Sequence, residues 1–330
     1  MEKKVTVVCV TYNQEPYIRQ ALDGMLMQKT DFAYEILVGD DASTDGTAAI
    51  VREYAEKHPD KMTAVLREKN IGAGKNSTDL YARIRTPYVA VCDGDDYWID
   101  ENKLQKQVDF LESHPECGLC LTHLRMIFEE SGQPDEIVPE PRFRETYARR
   151  GLDARDLILY NFITPVAVMW RWRFKEGLPD WCDLSTLVPG DLCMNLLHLK
   201  DGRIGLIDDI TAVYRRHSGG IWLNAEKTLY KTYGVSIISL LSFLKKNWFD
   251  GENTVYFNRA IRNLTEKIIQ ESIASGDPSV FIALTQKAPE ELLTFCHETL
   301  EEIRRLRRKL PLVSGFRGFL RKIRKHLRPD

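Results

Sequence analysis

Four short apolar runs, each ending in a cluster of polar residues, constrain the fold of this chain more than any other feature. Val5-Thr6-Val7-Val8-Cys9-Val10 is continuous and rich in β-branched residues, as expected of a strand buried on both faces. It runs into the loop Thr11-Tyr12-Asn13-Gln14-Glu15-Pro16. Pro16 suits the first turn of a helix, and Ile18, Ala21, Leu22 and Met25 follow at helical spacing. A second strand, Tyr34 to Gly39, ends in Asp40-Asp41-Ala42-Ser43-Thr44-Asp45-Gly46, and the next helix carries Ala49, Ile50 and Tyr54. A third, Met62 to Leu66, leads into Asn70-Ile71-Gly72-Ala73-Gly74-Lys75. A fourth, Tyr88 to Val91, ends in Cys92-Asp93-Gly94-Asp95-Asp96-Tyr97-Trp98. Strands alternating with helices predict a doubly wound α/β sheet, in which ligands bind beyond the carboxyl ends of the strands. All four polar clusters would then face one crevice.

The last cluster carries the most chemistry. Three carboxylates packed at the end of a buried strand repel one another. A divalent cation or a ribose shared among them relieves that repulsion, and hard oxygen ligands suit Mg²⁺ or Mn²⁺. A solvated acidic turn with a helix cap is the plain alternative, and an Asp-x-Asp triplet alone does not separate the two. The other three strand ends do, by supplying groups suited to a nucleotide.

Val7-Val8-Cys9-Val10-Thr11-Tyr12-Asn13, Gly39-Asp40-Asp41-Ala42-Ser43-Thr44-Asp45-Gly46-Thr47, Asn70-Ile71-Gly72 and Asp93-Gly94-Asp95-Asp96, in this order and spacing, resemble a family 2 glycosyltransferase over roughly residues 4–222. The run Gly94-Asp95-Asp96-Tyr97-Trp98 with Lys103-Leu104-Gln105-Lys106-Gln107-Val108 resembles members that build bacterial surface polysaccharides. The resemblance implies a GT-A fold: α/β, Rossmann-like, with a mostly parallel central sheet flanked by helices. It implies inverting, metal-dependent transfer from a nucleotide-sugar to an acceptor hydroxyl. The expected organisation is a catalytic domain over 1–225, with a nucleotide-sugar half (1–100) and an acceptor half (101–225). A helical extension over 226–302 and a basic amphipathic tail over 303–330 follow.

Residue roles follow from the same resemblance. Asp41 is placed to accept the N–H of a uracil, so the expected donor is a UDP-sugar; the alternative for Asp41 is a helix cap. Tyr12 offers a flat face and Thr11 a hydroxyl for the base, with Asn13 beside them. Asn70, Gly72 and Lys75 sit where backbone and charge meet ribose or phosphate. Asp93 meets the ribose. Asp95 holds Mn²⁺ or Mg²⁺, with Asp96 either supporting it or capping the turn. His217, in Tyr214-Arg215-Arg216-His217, completes the metal site or touches the diphosphate. Arg215 and Arg216 either neutralise phosphate or pair with Asp208 and Asp209. Asp191 in Gly190-Asp191 is the expected base, worth ~10²–10⁴-fold, against the alternative of a carboxylate favoured by a helix dipole. Asp183 is the next choice. Asp191 is expected to start an amphipathic helix with Leu192, Leu196 and Leu199 on one side. A polyprenyl-phosphate acceptor is already ionised and needs no base, so Asp191 argues against that rival. A non-catalytic nucleotide-sugar binder is expected to lose Asp95 or Asp191.

Net charge is −2, but unevenly spread. Residues 303–330 hold 11 Lys and Arg and one acid, leaving 35 basic and 47 acidic residues over 1–302. At helical spacing Phe316, Phe319, Leu320, Ile323 and Leu327 fall on one face of the tail and its cations on the other. That pattern predicts a helix lying on an anionic membrane, with docking on protein as the alternative. The acidic body and the lack of an aromatic-rich RNA motif exclude nucleic acid. The expected location is cytoplasmic, on the inner face of the membrane, facing a saccharide acceptor that is lipid-linked in one reading. No signal peptide is visible. Thr232–Leu244 reads as a buried helix, Ser131 to Pro141 as a loop, and Cys117 and Cys120 as core. Beyond Asn224 helices are expected around 226–247, 254–274, 278–287 and 289–309.

Overall fold

The Val5–Val10 run forms the middle of strand β1 (Lys3–Thr11) in a computed structural model, which describes residues 2–294 apart from 201, 250, 278, 289 and 292. Helix α1 (Ile18–Leu26) buries Ile18, Ala21, Leu22 and Met25, the four residues whose spacing predicts it. Strand β2 (Ala33–Asp40), helix α2 (Thr47–Lys57), strand β3 (Met62–Leu66), helix α3 (Ala73–Ala82) and strand β4 (Tyr88–Val91) complete the alternation. In α2 the inward residues are Thr47, Ile50 and Val51, whereas Ala49 faces out. Then come β5 (Tyr97–Trp98), α4 (Lys103–Ser113), β6 (Cys117–Phe128), β7 (Glu136–Val138) and α5 (Pro141–Arg150). After these follow β8 (Leu152–Asp153), α6 (Ala154–Leu159), β9 (Val168–Arg171), α7 (Gly190–His198) and β10 (Arg203–Arg216).

The sheet runs in the order β3-β2-β1-β4-β9-β6-β10-β5, with β7 on β6 and β8 on β10. β1 pairs in parallel with β2 and β4, and β2 with β3. β9 is antiparallel to both β4 and β6, so β6, and β10 parallel to it, run the same way as β1–β4. The carboxyl ends of six strands therefore share one edge. This brings residues after β10 to the loops after β1 and β4. The expected mostly parallel α/β architecture is present, and β9 is the reversal that pattern alone does not reveal.

Two local expectations change. The segment expected as a loop over 131–141 contains β7, which pairs Val138 with Leu124 on β6. Helix α7 is not amphipathic, because Leu192 to Leu199 are all buried. Trp170 stacks on His198 at 5.2 Å, and burial with only one hydrogen-bonded ring nitrogen lowers the His198 pKa to about 3. Trp98 is core, with Nε1 donating to the Val166 carbonyl at 3.0 Å, and Cys117 and Cys120 are core too.

The chain divides into two units after Gly220. The second contains α8 (Ile221–Asn247), α9 (Thr254–Ser275) and α10 (Ser279–Lys287). Val235, Ile238, Leu240, Leu241 and Leu244 of α8 are buried, so the expected buried helix over 232–244 is present. Among the described residues no helix is long and apolar enough to cross a membrane. The basic tail over 303–330 lies outside the described residues.

Candidate functional site

The loops after β1, β2 and β3 are tied together by side chains. Asn13, at φ 54°, accepts the Thr44 N–H on Oδ1 at 2.8 Å, while its own N–H donates to Ser43 Oγ at 2.9 Å. Asp45 accepts from the N–H groups of Thr47 (3.0 Å) and Glu15 (3.1 Å), capping α2 and adding a second tie. Asp41 is buried and accepts the N–H of Ile71 on Oδ1 and of Gly72 on Oδ2, both at 2.8 Å. It is therefore no helix cap. It pins the Asn70–Gly72 loop, and each oxygen keeps a lone pair for a further donor. Asn70 Oδ1 also accepts from the Gly72 N–H at 3.1 Å, and Gly72 has φ +85°, a conformation glycine takes without strain. Tyr12 is 46 % exposed, so its ring is not core packing. Lys75 is exposed in the first turn of α3, close enough to Asp183 to favour the ionised form of that carboxyl.

The acidic turn lies across the end of β1, with the Gly94 N–H donating to the Val10 carbonyl at 3.1 Å. A Cβ at residue 94 would fall 2.6 Å from Thr11 Oγ1 and against Gln14 Oε1. Both of those oxygens are buried and without a hydrogen-bond partner among the described residues. Asp96 is buried and holds the turn from behind: its Oδ1 accepts the Arg215 N–H at 2.9 Å. The Arg215 guanidinium donates to the Asp95 carbonyl at 2.9 Å, lies over Tyr17 (5.0 Å) and Tyr97 (4.4 Å), and pairs with Glu129 at 3.0 Å. The Asp95 carboxylate faces His217 instead, with Nε2 3.2 Å from Oδ2. His217 is only 5 % exposed and packs on Tyr17 at 4.6 Å between ring centroids. Its hydrogen bond to Asp95 holds its pKa above the ordinary histidine value.

Electrostatics makes this turn costly by itself. Burial pushes the Asp93 carboxyl up to about 8, with the Asp95 and then the Asp191 charge adding to the shift. Asp96 moves in the same direction, through burial and then Asp95 and Asp93. Among the described residues no three His, Cys, Asp or Glu side chains are arranged to hold a cation unaided. Asp95 and His217 nevertheless offer one oxygen and one nitrogen face to face. A Mg²⁺ or Mn²⁺ ion completed by phosphate oxygens and water fits that donor set.

Asp191 is the second residue of α7. Burial raises its pKa, against the opposing effects of the Leu192 N–H and of Asn161, whose Nδ2 lies 3.4 Å from Asp191 Oδ2. The charge of Asp191 is felt by Asp93 and by the buried Tyr81 hydroxyl, so the acids after β4 and at the start of α7 face one space. Asp183 differs. It is exposed, and hydrogen bonds from Ser185 hold its carboxyl below the usual range, which makes it the weaker base.

Of the two readings left open for Arg215, pairing with Asp208 or Asp209 is not the one found, since it pairs with Glu129. Asp208 pairs with Arg144 and lies 3.3 Å from His123, and Asp209 pairs with Lys106 at 2.8 Å. Both acids lie where the register of β10 on β6 shifts, between Ile207 and Ala212. Sequence reasoning also missed Gln14, Glu129 and Asn161. Each is an ordinary polar residue in a loop, and only the sheet order brings it to the site.

Comparison with known proteins shows the family. Residues 6–172, half of the chain, match glycosyl transferase family 2. The uncharacterized protein Rv1520 of Mycobacterium tuberculosis is 39 % identical over 222 residues, 67 % of this chain and 61 % of that protein. The chain thus aligns with less than two thirds of the length of that relative. TuaG of Bacillus subtilis, described as a teichuronic acid biosynthesis glycosyltransferase, is 29 % identical over 246 residues, 74 % of this chain and 92 % of that one. In fold, the chain resembles residues 1–349 of Staphylococcus aureus TarS, crystallised with UDP, at TM-score 0.60 and 20 % identity, covering 94 % of this chain and 95 % of that one. The chain belongs to glycosyl transferase family 2, with the GT-A-like fold of its structural relatives and kinship to enzymes of bacterial surface polymers.

Proposed function

We propose that this glycosyltransferase is inverting and metal-dependent, and that it moves a sugar from a UDP-sugar to an acceptor hydroxyl during assembly of a bacterial cell-surface polysaccharide. The observation that carries the reading is the convergence of three acids. Asp95 faces His217, Asp191 opens α7, and Asp93 feels both Asp95 and Asp191. In this reading residues 1–100 hold the donor and residues 101–225 the acceptor.

Asp41 accepts the uracil N–H on a remaining lone pair, Tyr12 covers the base, and Thr11 Oγ1 gains the partner it lacks. Asn13 shapes the loop that presents them. Asn70 and Gly72 bring backbone close to the ribose, Asp93 binds a ribose hydroxyl, and Lys75 neutralises diphosphate charge. Asp95 and His217 hold Mn²⁺ or Mg²⁺. The bound ion supplies stabilisation of the charge that grows on the departing diphosphate. Asp191 takes the proton of the acceptor hydroxyl as its oxygen attacks the anomeric carbon from the face opposite the leaving group. That geometry inverts the configuration. A raised pKa makes Asp191 a stronger base than an exposed carboxylate.

The basic tail over 303–330 holds the enzyme on the anionic inner face of the cytoplasmic membrane, where a lipid-linked acceptor is presented. Sedimentation with anionic vesicles tests this: full-length protein sediments at low salt and protein truncated before Ile303 does not. For the catalytic reading the test is hydrolysis across a panel of UDP-, dTDP- and GDP-sugars with Mn²⁺ and with EDTA. Cleavage of a UDP-sugar that EDTA abolishes is expected. Metal-independent cleavage, or preference for another nucleotide, contradicts it.

A further inference from the structure

We propose that Asn161 positions the acceptor: its amide nitrogen orients the Asp191 carboxylate, and its amide oxygen takes a hydrogen bond from a second hydroxyl adjacent to the one that reacts. The inference rests on Asp191 being the base and adds the class of acceptor the site prefers, a sugar or polyol with two neighbouring hydroxyls.

The side chain of Asn161 is used on one end only. Nδ2 donates to Asp191 Oδ2 at 3.4 Å. Oδ1 is buried and has no hydrogen-bond partner among the described residues. An unmet buried acceptor is costly and uncommon in folded proteins, and sites that bind polar ligands are where it is tolerated. The same amide carbon carries both atoms. A donor bonded to Oδ1 is thereby kept within a few ångströms of the Asp191 carboxylate, the reach of a second hydroxyl on the same small acceptor.

The backbone around Asn161 is fixed. Asp153 and Asp156 form a capping box at the start of α6, and the Tyr160 N–H closes its end on the Asp156 carbonyl at 3.0 Å. Phe162 and Ile163, which follow, are buried. Leu159 and Tyr160, which precede it, are 40 % and 48 % exposed, so the segment leading into Asn161 lies at the surface. The Tyr160 ring is itself held, its hydroxyl donating to Glu140 at 3.1 Å.

A hydrogen bond to the charged form of a carboxylate favours that form. The other influences on Asp191 are burial, which raises its pKa, and the N–H groups of Leu192 and of Asp191 itself, which lower it, while Asp93 after β4, Tyr81 of α3 and Cys193 of α7 are close enough to feel its charge. None of them changes when Asn161 is replaced. Removing its amide therefore moves the acid limb of the rate profile to higher pH.

The test uses the full chain with whichever UDP-sugar it hydrolyses fastest, and two probe acceptors of identical composition, 1,2-propanediol and 1,3-propanediol. Wild type is expected to transfer several-fold faster to the 1,2-diol. Asn161→Ala should lose that preference, bind UDP unchanged by calorimetry, and show its hydrolysis limb at higher pH. Equal transfer to both diols by wild type, including none to either, overturns the proposal whatever the variant does. So does an Asn161→Ala enzyme that keeps the preference or whose acid limb does not move. The base assignment fails separately, on undiminished hydrolysis by Asp191→Asn.

Discussion

The proposed donor and acceptor halves of the site are held together to different degrees. On the donor side Asp41, Asn13 and Asp45 each hold two N–H groups or tie two loops, at 2.8–3.1 Å. On the proposed acceptor side Asp191 has one long side-chain hydrogen bond at 3.4 Å besides its backbone bonds, and among the described residues the Asn161 amide oxygen has none. The donor half is pre-organised, and so its binding loses little freedom. Burial raises the Asp191 pKa despite the bonds it accepts, which suits a base, because a buried carboxylate takes a proton more readily than an exposed one.

This contrast is broken most readily at Asp191. Asp191→Asn keeps the shape and removes the basicity, so transfer should fall by ~10²-fold or more while UDP affinity stays within a factor of two. Wild-type transfer should be lost as pH falls through the Asp191 pKa, which burial places above the ordinary carboxylate range of about 3.9. A variant with near-normal transfer would move the base elsewhere and dissolve the division between the halves.

Asp41→Ala probes the other side. It leaves the Ile71 N–H unpaired and the Gly72 N–H with only its 3.1 Å bond to Asn70 Oδ1, at about 1–3 kcal/mol for a group kept from water. UDP affinity should fall about tenfold or more, and the denaturation midpoint should drop with it. Unchanged UDP binding by calorimetry would show that the donor loops are not organised by this carboxylate.

The smallest effect separates two glycines. Gly94→Ala forces a Cβ to 2.6 Å from Thr11 Oγ1 and should cost about 1–3 kcal/mol. Gly190→Ala meets nothing nearer than 3.7 Å and lies in the first turn of α7, so it should be neutral or stabilising by up to about 1 kcal/mol. Chemical denaturation of both variants sharpens the claim that the donor side is the tighter of the two. Equal losses would contradict it.

The two halves were also unequally legible. Strands β1 to β4 announce themselves, because a strand buried on both faces must be apolar throughout and must stop where the polar residues begin. Asp41, Asp93 and Asp95 sit at those stops. The resemblance then supplied Asp191 and His217, which no periodicity marks. What stayed hidden depends on β9. Four residues entering antiparallel between β4 and β6 set where β6 and β10 lie, and hence that Glu129, Arg215 and His217 reach the acidic turn. Asn161 was invisible for the same reason: its meeting with Asp191 joins two segments 30 residues apart through a packed interior. The amphipathic reading of α7 failed because burial on every side leaves no polar face to detect.

The central claim is that Asp95 and His217 share a cation beside a UDP-sugar, within reach of the acid at Asp191. Anomalous diffraction at the manganese edge, from crystals grown with UDP and Mn²⁺, tests it most directly. The account requires a single strong peak between Asp95 and His217, in contact with the diphosphate. A peak on other residues, or bound UDP with no peak at all, would contradict it.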